Sequence, residues 1–64
     1  MITVFLDMDG QILFTYPNVD VRPGDYIKFN NQKYMTVRKM FDADAGCFEV
    51  MLQRYGQIDS EEQP

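Results

Sequence analysis

The sequence predicts an all-β fold, a five-stranded antiparallel small barrel or strongly bent sheet. Apolar positions mostly alternate with polar ones, and β-branched and aromatic residues dominate, which favours strands over helices. Turn signals rich in Asp, Asn, Gly and Pro interrupt this pattern at short, regular intervals. They delimit five strand-like runs, over residues 2–7, 11–16, 26–30, 33–41 and 47–54.

The chain has 64 residues, which is enough for one small domain and too few for a multi-domain enzyme. We predict a single β domain over residues 1–55 and a disordered, flexible acidic tail over residues 56–64. The formal net charge is -4, but three of the acids lie in the last six residues, which hold no base. A nearly neutral domain of this kind disfavours strong non-specific binding to nucleic acid, although a local basic patch can still bind it.

The content of cysteine and histidine limits the possible chemistry. Cys47 is the single cysteine and the chain has no histidine, so an internal disulfide, a Cys–His dyad and a histidine metal site are excluded. A lone cysteine fits a reducing compartment, and the sequence shows neither a signal peptide nor an apolar run of about 18 residues. We therefore expect a cytoplasmic protein with no membrane contact, no cofactor and no metal.

The first hairpin allows two registers around its Asp9-Gly10 turn signal. A two-residue loop would place Leu6 opposite Leu13 and leave both faces strongly apolar. A three-residue loop, with Gly10 in the left-handed region, would place Leu6 opposite Ile12. We favour the three-residue loop because it leaves one face of a small sheet polar. Its inward side chains are Ile2, Val4, Leu6, Ile12, Phe14 and Tyr16. Its outward side chains are Thr3, Phe5, Asp7, Gln11, Leu13 and Thr15.

The later strands differ in how clearly they define an inward face. The inward candidates of the third and fifth strands are Ile27, Phe29, Phe48, Val50 and Leu52. In the fourth strand, Met35 and Val37 are the better inward pair, but Tyr34, Thr36 and Met40 have the other parity, so the register stays open. A bulge near Arg38-Lys39 would put Met35, Val37 and Met40 on one side.

The stretch from Pro23 to Phe29, followed by Asn30-Asn31 and Tyr34 to Val37, resembles hairpins that are common in SH3-like small barrels. The resemblance covers residues 23–37 and depends on a Pro-Gly turn and an Asn-Asn turn. It implies an SH3-like architecture, and it implies no activity because such barrels serve many functions.

The stretch from Val4 to Gly10 resembles the first motif of haloacid-dehalogenase-type phosphatases, an apolar strand followed by Asp-x-Asp-Gly. The resemblance implies that Asp7 would be a nucleophile and Asp9 a general acid/base beside Mg²⁺. That chemistry needs further acids and a lysine from a Rossmann-like domain far longer than this chain. We therefore interpret Asp9-Gly10 as a hairpin turn and predict no catalytic residues and no enzymatic activity.

The run from Asp42 to Gly46 resembles the start of a calcium-binding loop. The calcium pattern requires glycine at its sixth position and glutamate at its twelfth, where this chain has Cys47 and Gln53. We interpret the run as a polar hairpin loop.

Methionine and aromatic residues exceed what one small core needs. Our leading hypothesis is a non-enzymatic protein–protein interaction module. It would act as a homodimer, or as a small phage or mobile-element inhibitor or adaptor of a larger host protein. The predicted contact residues are Phe5, Leu13, Tyr34, Met51 and Tyr55. This hypothesis predicts that Phe5→Asp weakens association without unfolding the monomer.

The alternative hypothesis is a small β-barrel that binds single-stranded nucleic acid. Several basic residues lie beside tyrosines in one predicted hairpin, and small barrels bind single strands by stacking bases on aromatic rings in a positive groove. The predicted nucleic-acid-binding residues are Lys28, Tyr34, Arg38 and Lys39.

Overall fold

The computed structural model describes residues 1–56, and all regular structure within them is β-strand. The strands are β1 (Ile2–Leu6), β2 (Ile12–Pro17), β3 (Tyr26–Phe29), β4 (Gln32–Asp42) and β5 (Cys47–Arg54). The all-β prediction is confirmed, and each predicted run ends within one residue of the observed strand. The predicted tail lies outside the described residues beyond Gly56.

The five strands form one sheet in the order β2-β1-β5-β4-β3, curled into a half-barrel. Three of the four neighbouring pairs are antiparallel, but β1 and β5 are parallel. The sheet is therefore mixed, where the sequence predicted a purely antiparallel one. Turn signals identify strands that are joined by hairpins, whereas a parallel pair needs a long connection and leaves no local signal.

The first hairpin combines both registers considered for it. The Asp7 N–H donates to the carbonyl of Gln11 at 2.9 Å, and Gly10 has a φ of 86°. The three-residue loop is thus confirmed, with Leu6 opposite Ile12. A bulge then shifts the ladder between Phe5 and Leu6, so that Phe5 lies opposite Phe14, as the two-residue loop would have placed it.

This bulge makes the predicted faces of β1 wrong. Phe5 is 2% exposed and Thr3 is also buried on the concave face, whereas Ile12 is 65% exposed on the convex face. The predicted inward residues Ile2, Val4 and Leu6 share the convex face with Ile12. The bulge adds one residue, Leu13, to β2 only, so Phe14 lies opposite Phe5 instead of Val4, while β1 itself alternates without interruption. Periodicity within each strand cannot reveal that shift in pairing.

The hairpin between β3 and β4 turns Tyr34 inward. Its turn residues Asn30-Asn31 have φ values of 55° and 64°, as a type I′ turn requires. The turn pairs Phe29 with Gln32 and therefore Ile27 with Tyr34. Because Ile27 faces the core as predicted, its partner does so as well.

The prediction that Met35 and Val37 of β4 point inward is wrong. Tyr34 and Thr36 are buried, and Val37 is 37% exposed. A register shift between Thr36 and Arg38 places a bulge close to the position that the sequence suggested. That bulge moves the following residues onto the opposite faces of the sheet.

The core lies on the concave face and is small. Its buried apolar side chains are Phe5, Tyr34, Val50 and Leu52, and half-buried ones pack against them: Leu13, Phe14, Val19, Val21, Ile27 and Phe29. The inward residues predicted for β3 and β5 all lie on this face, which confirms those two assignments.

The connector between β2 and β3 packs onto the concave face through Val19 and Val21. It ends in a turn in which the Asp25 N–H donates to the Arg22 carbonyl at 3.0 Å, with Gly24 at a φ of 94°. These values define the type II turn that the Pro-Gly sequence favours. The connector therefore adds the apolar side chains of Val19 and Val21 to the core.

Candidate functional site

A cleft separates β2 from β3, the two edge strands of the sheet. No Cα atom of β2 lies within 8 Å of a Cα atom of β3, whereas paired strands lie about 4.8 Å apart. The gap is therefore too wide for direct pairing of β2 with β3.

The cleft has a volume of about 460 Å³ and is mainly apolar. Its apolar lining consists of Phe5, Phe14, Val19, Val21, Ile27 and Phe29. Its polar lining consists of Thr15, Tyr16 and Lys28. An apolar cleft with few polar groups is typical of a site that takes up apolar groups of a ligand.

Three stacked phenylalanine rings close the inner side of the cleft. The Phe5 and Phe14 ring centroids are 4.5 Å apart, and those of Phe14 and Phe29 are 4.2 Å apart. Phe14 belongs to β2 and Phe29 to β3, so their rings bridge a gap that the backbones do not close. Side-chain contacts therefore join the two edges of the sheet, whereas the main chains of β2 and β3 are not hydrogen-bonded to each other.

The main chain of Thr15 points into the cleft from β2. The Asn18 N–H donates to the Met1 carbonyl at 2.9 Å, so Met1 and Asn18 form a hydrogen-bonded pair. Bonded pairs alternate along an antiparallel ladder, which directs the main-chain groups of Tyr16 and Phe14 toward β1. The N–H and carbonyl of Thr15 are therefore directed away from β1.

The main chain of Lys28 points into the cleft from the other side. The Thr36 N–H donates to the Asp25 carbonyl at 2.8 Å, which places Asp25 and Ile27 among the residues bonded to β4. The intervening residues, Tyr26 and Lys28, therefore direct their N–H and carbonyl groups away from β4. Within the described chain, no strand pairs with these two edges.

The five predicted protein-contact residues do not form one surface. Phe5 and Tyr34 are buried, at 2% and 6% exposure, so their assignment to an outer contact surface is wrong. Leu13 packs against the core at the bulge, and Met51 is half-buried on the convex face. Tyr55 is exposed, and its ring lies 5.2 Å from that of Tyr26.

The four predicted nucleic-acid-binding residues do not form one patch on the surface. Tyr34 is buried, and Arg38 lies on the convex face with its Nη2 3.7 Å from the Met51 sulfur. Lys39 is on the concave side, with Nζ 3.5 Å from a carboxylate oxygen of Asp20 and 4.6 Å from the centroid of the Phe48 ring. Of the four residues, Lys28 alone lies at the cleft.

Asp7, the acid of the phosphatase-like motif, acts as a turn acceptor. Its Oδ1 accepts the N–H groups of Asp9 and Gln11, both at 2.9 Å. Asp42 plays the same part in its loop, where Oδ1 accepts the N–H groups of Asp44 and Ala45. Within residues 1–56, no three acidic or cysteine side chains are grouped as metal ligands.

We expect Asp7→Ala to lower the free energy of unfolding by about 1–2 kcal/mol, because two N–H groups lose their acceptor. Asp7→Asn retains an oxygen at the same position and should cost less than about 0.5 kcal/mol. Urea denaturation of the two variants measures the difference. Equal losses in both variants would show that the negative charge, and not the acceptor geometry, stabilises the turn.

Comparison of the chain with protein-family models, curated proteins and solved structures finds no match. No helix long and apolar enough to cross a membrane occurs in the part of the chain that the structure describes. The chemistry of the cleft is therefore inferred from its own geometry.

Proposed function

We propose that this protein is a non-enzymatic protein–protein interaction module that accepts an extended segment of a partner as a strand between β2 and β3. The observation that carries the proposal is a pair of edge strands, more than 8 Å apart, whose main-chain groups at Thr15 and Lys28 point away from their neighbours β1 and β4. A guest strand would hydrogen-bond to Thr15 on one side and to Lys28 on the other. It would complete the curled sheet as a six-stranded small barrel.

Main-chain pairing would supply much of the affinity. Open sheet edges carry rows of unsatisfied N–H and carbonyl groups, and addition of a strand is a common mode of peptide recognition. Each hydrogen bond contributes a net stabilisation of about 0.5–1.5 kcal/mol, and this cleft offers such bonds on both sides of a guest. The strand pairings of the sheet make β2 and β3 run in opposite directions. A guest strand would therefore be parallel to one edge and antiparallel to the other.

An inhibitor or adaptor of a larger host protein, such as a phage accessory protein, would act by capturing a segment that its partner presents in extended form. The SH3-like architecture belongs to this proposal, because a small closed barrel is the form that strand addition would produce. We place this activity in the cytoplasm, since a single cysteine, Cys47, is compatible with a reducing compartment.

Thr15→Pro should weaken binding of an alternating valine–threonine octapeptide by about tenfold, because proline removes the N–H that points into the cleft. Thr15→Val is the matched control, since it retains the N–H and a β-branched side chain, and its affinity should stay within about twofold. Fluorescence anisotropy of the labelled peptide measures both. In NMR hydrogen exchange, the bound peptide should slow exchange at the Thr15 and Lys28 amides of the wild-type chain.

Equal peptide affinity in Thr15→Pro and Thr15→Val would refute strand addition at β2. So would protection confined to amides on other strands, because that would place the peptide elsewhere on the sheet. A far-UV circular dichroism spectrum of each variant establishes that the compared proteins are folded.

A further inference from the structure

Two lysines lie directly opposite each other next to the cleft. Lys28 on β3 pairs with Lys33 on β4, and both are exposed. Like charges at directly opposed positions of an antiparallel pair are destabilising. In the residues that the structure describes, the ion pairs involve Arg22, Lys39 and Asp20, so neither of these two lysines has an acidic partner there.

The acids nearest the cleft in sequence are already engaged. Asp20 lies 3.8 Å from Arg22 and 3.5 Å from Lys39, and Asp25 Oδ2 accepts the Arg22 N–H at 2.9 Å. Lys28 is therefore the charged group that lines the cleft, and its charge has no nearby counter-charge from the connector. An anion brought to this edge would relieve the repulsion between the lysines.

The position of Lys28 specifies where that anion would be. Its side chain is on the convex face, and a guest strand paired with β3 would place one residue opposite it on the same face, with Cβ atoms about 5 Å apart. An aspartate or glutamate at that position would pair with the ammonium group. On the other edge, Thr15 lies on the convex face too and is neutral.

The inner side of a guest strand would meet a different surface. Residues adjacent to the acidic position point to the concave side, because side chains alternate along a strand. There they would contact the rings of Phe14 and Phe29 and the side chains of Val19 and Val21. That surface favours apolar side chains.

We infer that the partner segment is an extended stretch in which acidic residues alternate with apolar ones. The inference rests on the proposed function. Only a strand bound between β2 and β3 would place one of its faces beside Lys28 and its other face on the rings of Phe14 and Phe29. Charge complementarity at Lys28 selects the acid, and the phenylalanine stack selects the apolar residue.

The test uses the full chain and three octapeptides in which valine alternates with glutamate, lysine or threonine. At low salt, wild-type protein should bind the valine–glutamate peptide about fivefold or more tightly than the valine–lysine peptide, and this preference should shrink with added salt. Lys28→Glu should reverse the preference. Arg38→Glu should retain it, because that variant removes a convex-face cation that does not line the cleft.

Equal affinities for the three peptides, still weakened by Thr15→Pro, would overturn the inferred charge pattern and leave strand addition intact. Failure of all three peptides to bind would overturn strand addition and the pattern together. Tighter binding of oligothymidylate than of the valine–glutamate peptide, lost in Lys28→Glu, would assign the lysines to nucleic acid and also overturn the inference.

Discussion

Phe5→Asp is expected to unfold the domain. Phe5 is 2% exposed at the centre of the concave face, and its ring stacks on that of Phe14. Removing a buried phenylalanine costs about 3–5 kcal/mol, and burying an unpaired carboxylate adds several more. The total stability of a domain this small is about 3–10 kcal/mol, so the unfolded state should predominate. Circular dichroism and the dispersion of NMR amide signals measure the folded population.

Ile12→Asp is the matched control in the same hairpin. Ile12 is 65% exposed on the convex face, and its replacement should change stability by about 0.5 kcal/mol or less. If the Phe5→Asp protein is folded and has lost only its ability to associate, Phe5 points outward, as the sequence predicts, and its burial in the core is wrong. The pair of variants therefore tests which face of β1 is buried.

Phe14→Ala is expected to lower the free energy of unfolding by about 3 kcal/mol. Its ring contacts Phe5 on the neighbouring strand and Phe29 across the cleft, so the variant loses both stacks at once. Phe29→Ala should cost less, since it removes one of them. A double-mutant cycle between Phe14 and Phe29 should give a coupling of about 0.5–1.5 kcal/mol, measured by urea denaturation.

Phe41→Ala provides the comparison for these rings. Phe41 is exposed and makes a tilted contact with Phe48, with ring centroids 5.2 Å apart, on strands that are already hydrogen-bonded. Its removal should cost about 1 kcal/mol or less. A coupling near zero between Phe14 and Phe29 would show that their contact does not hold the two edges together.

The positions of the strands could be predicted because the turns depend on local chemistry. Gly10 adopts the positive φ that its loop requires, and Asn30-Asn31 adopts the conformation that makes asparagine common in tight turns. The inward face of β5 could be predicted for a related reason. Its side chains alternate without interruption, and Val50 and Leu52 are buried as expected.

The inward face of β1 could not be predicted, because the bulge at Leu13 lies on β2 and shifts its pairing with β1 by one residue. The faces of β4 could not be predicted, because a bulge near Val37 reverses the alternation of that strand. Neither position carries a residue that marks a bulge. The candidate site was missed for a different reason. It is formed by the unpaired edges of β2 and β3, and which strands are edges depends on the strand order. Lys28 was singled out for its charge, and its position at a sheet edge is a property of the whole topology.

The parallel pairing of β1 with β5 has a consequence for how the chain folds during synthesis. The first strand emerges from the ribosome early, but its central neighbour is the last strand, and contacts such as Phe5 with Val50 join residues far apart in sequence. The nascent chain therefore carries an apolar β1–β2 hairpin without its sheet partner until β5 has emerged. Folding dominated by such distant contacts is slow, and we expect this domain to fold only once β5 has emerged, rather than strand by strand.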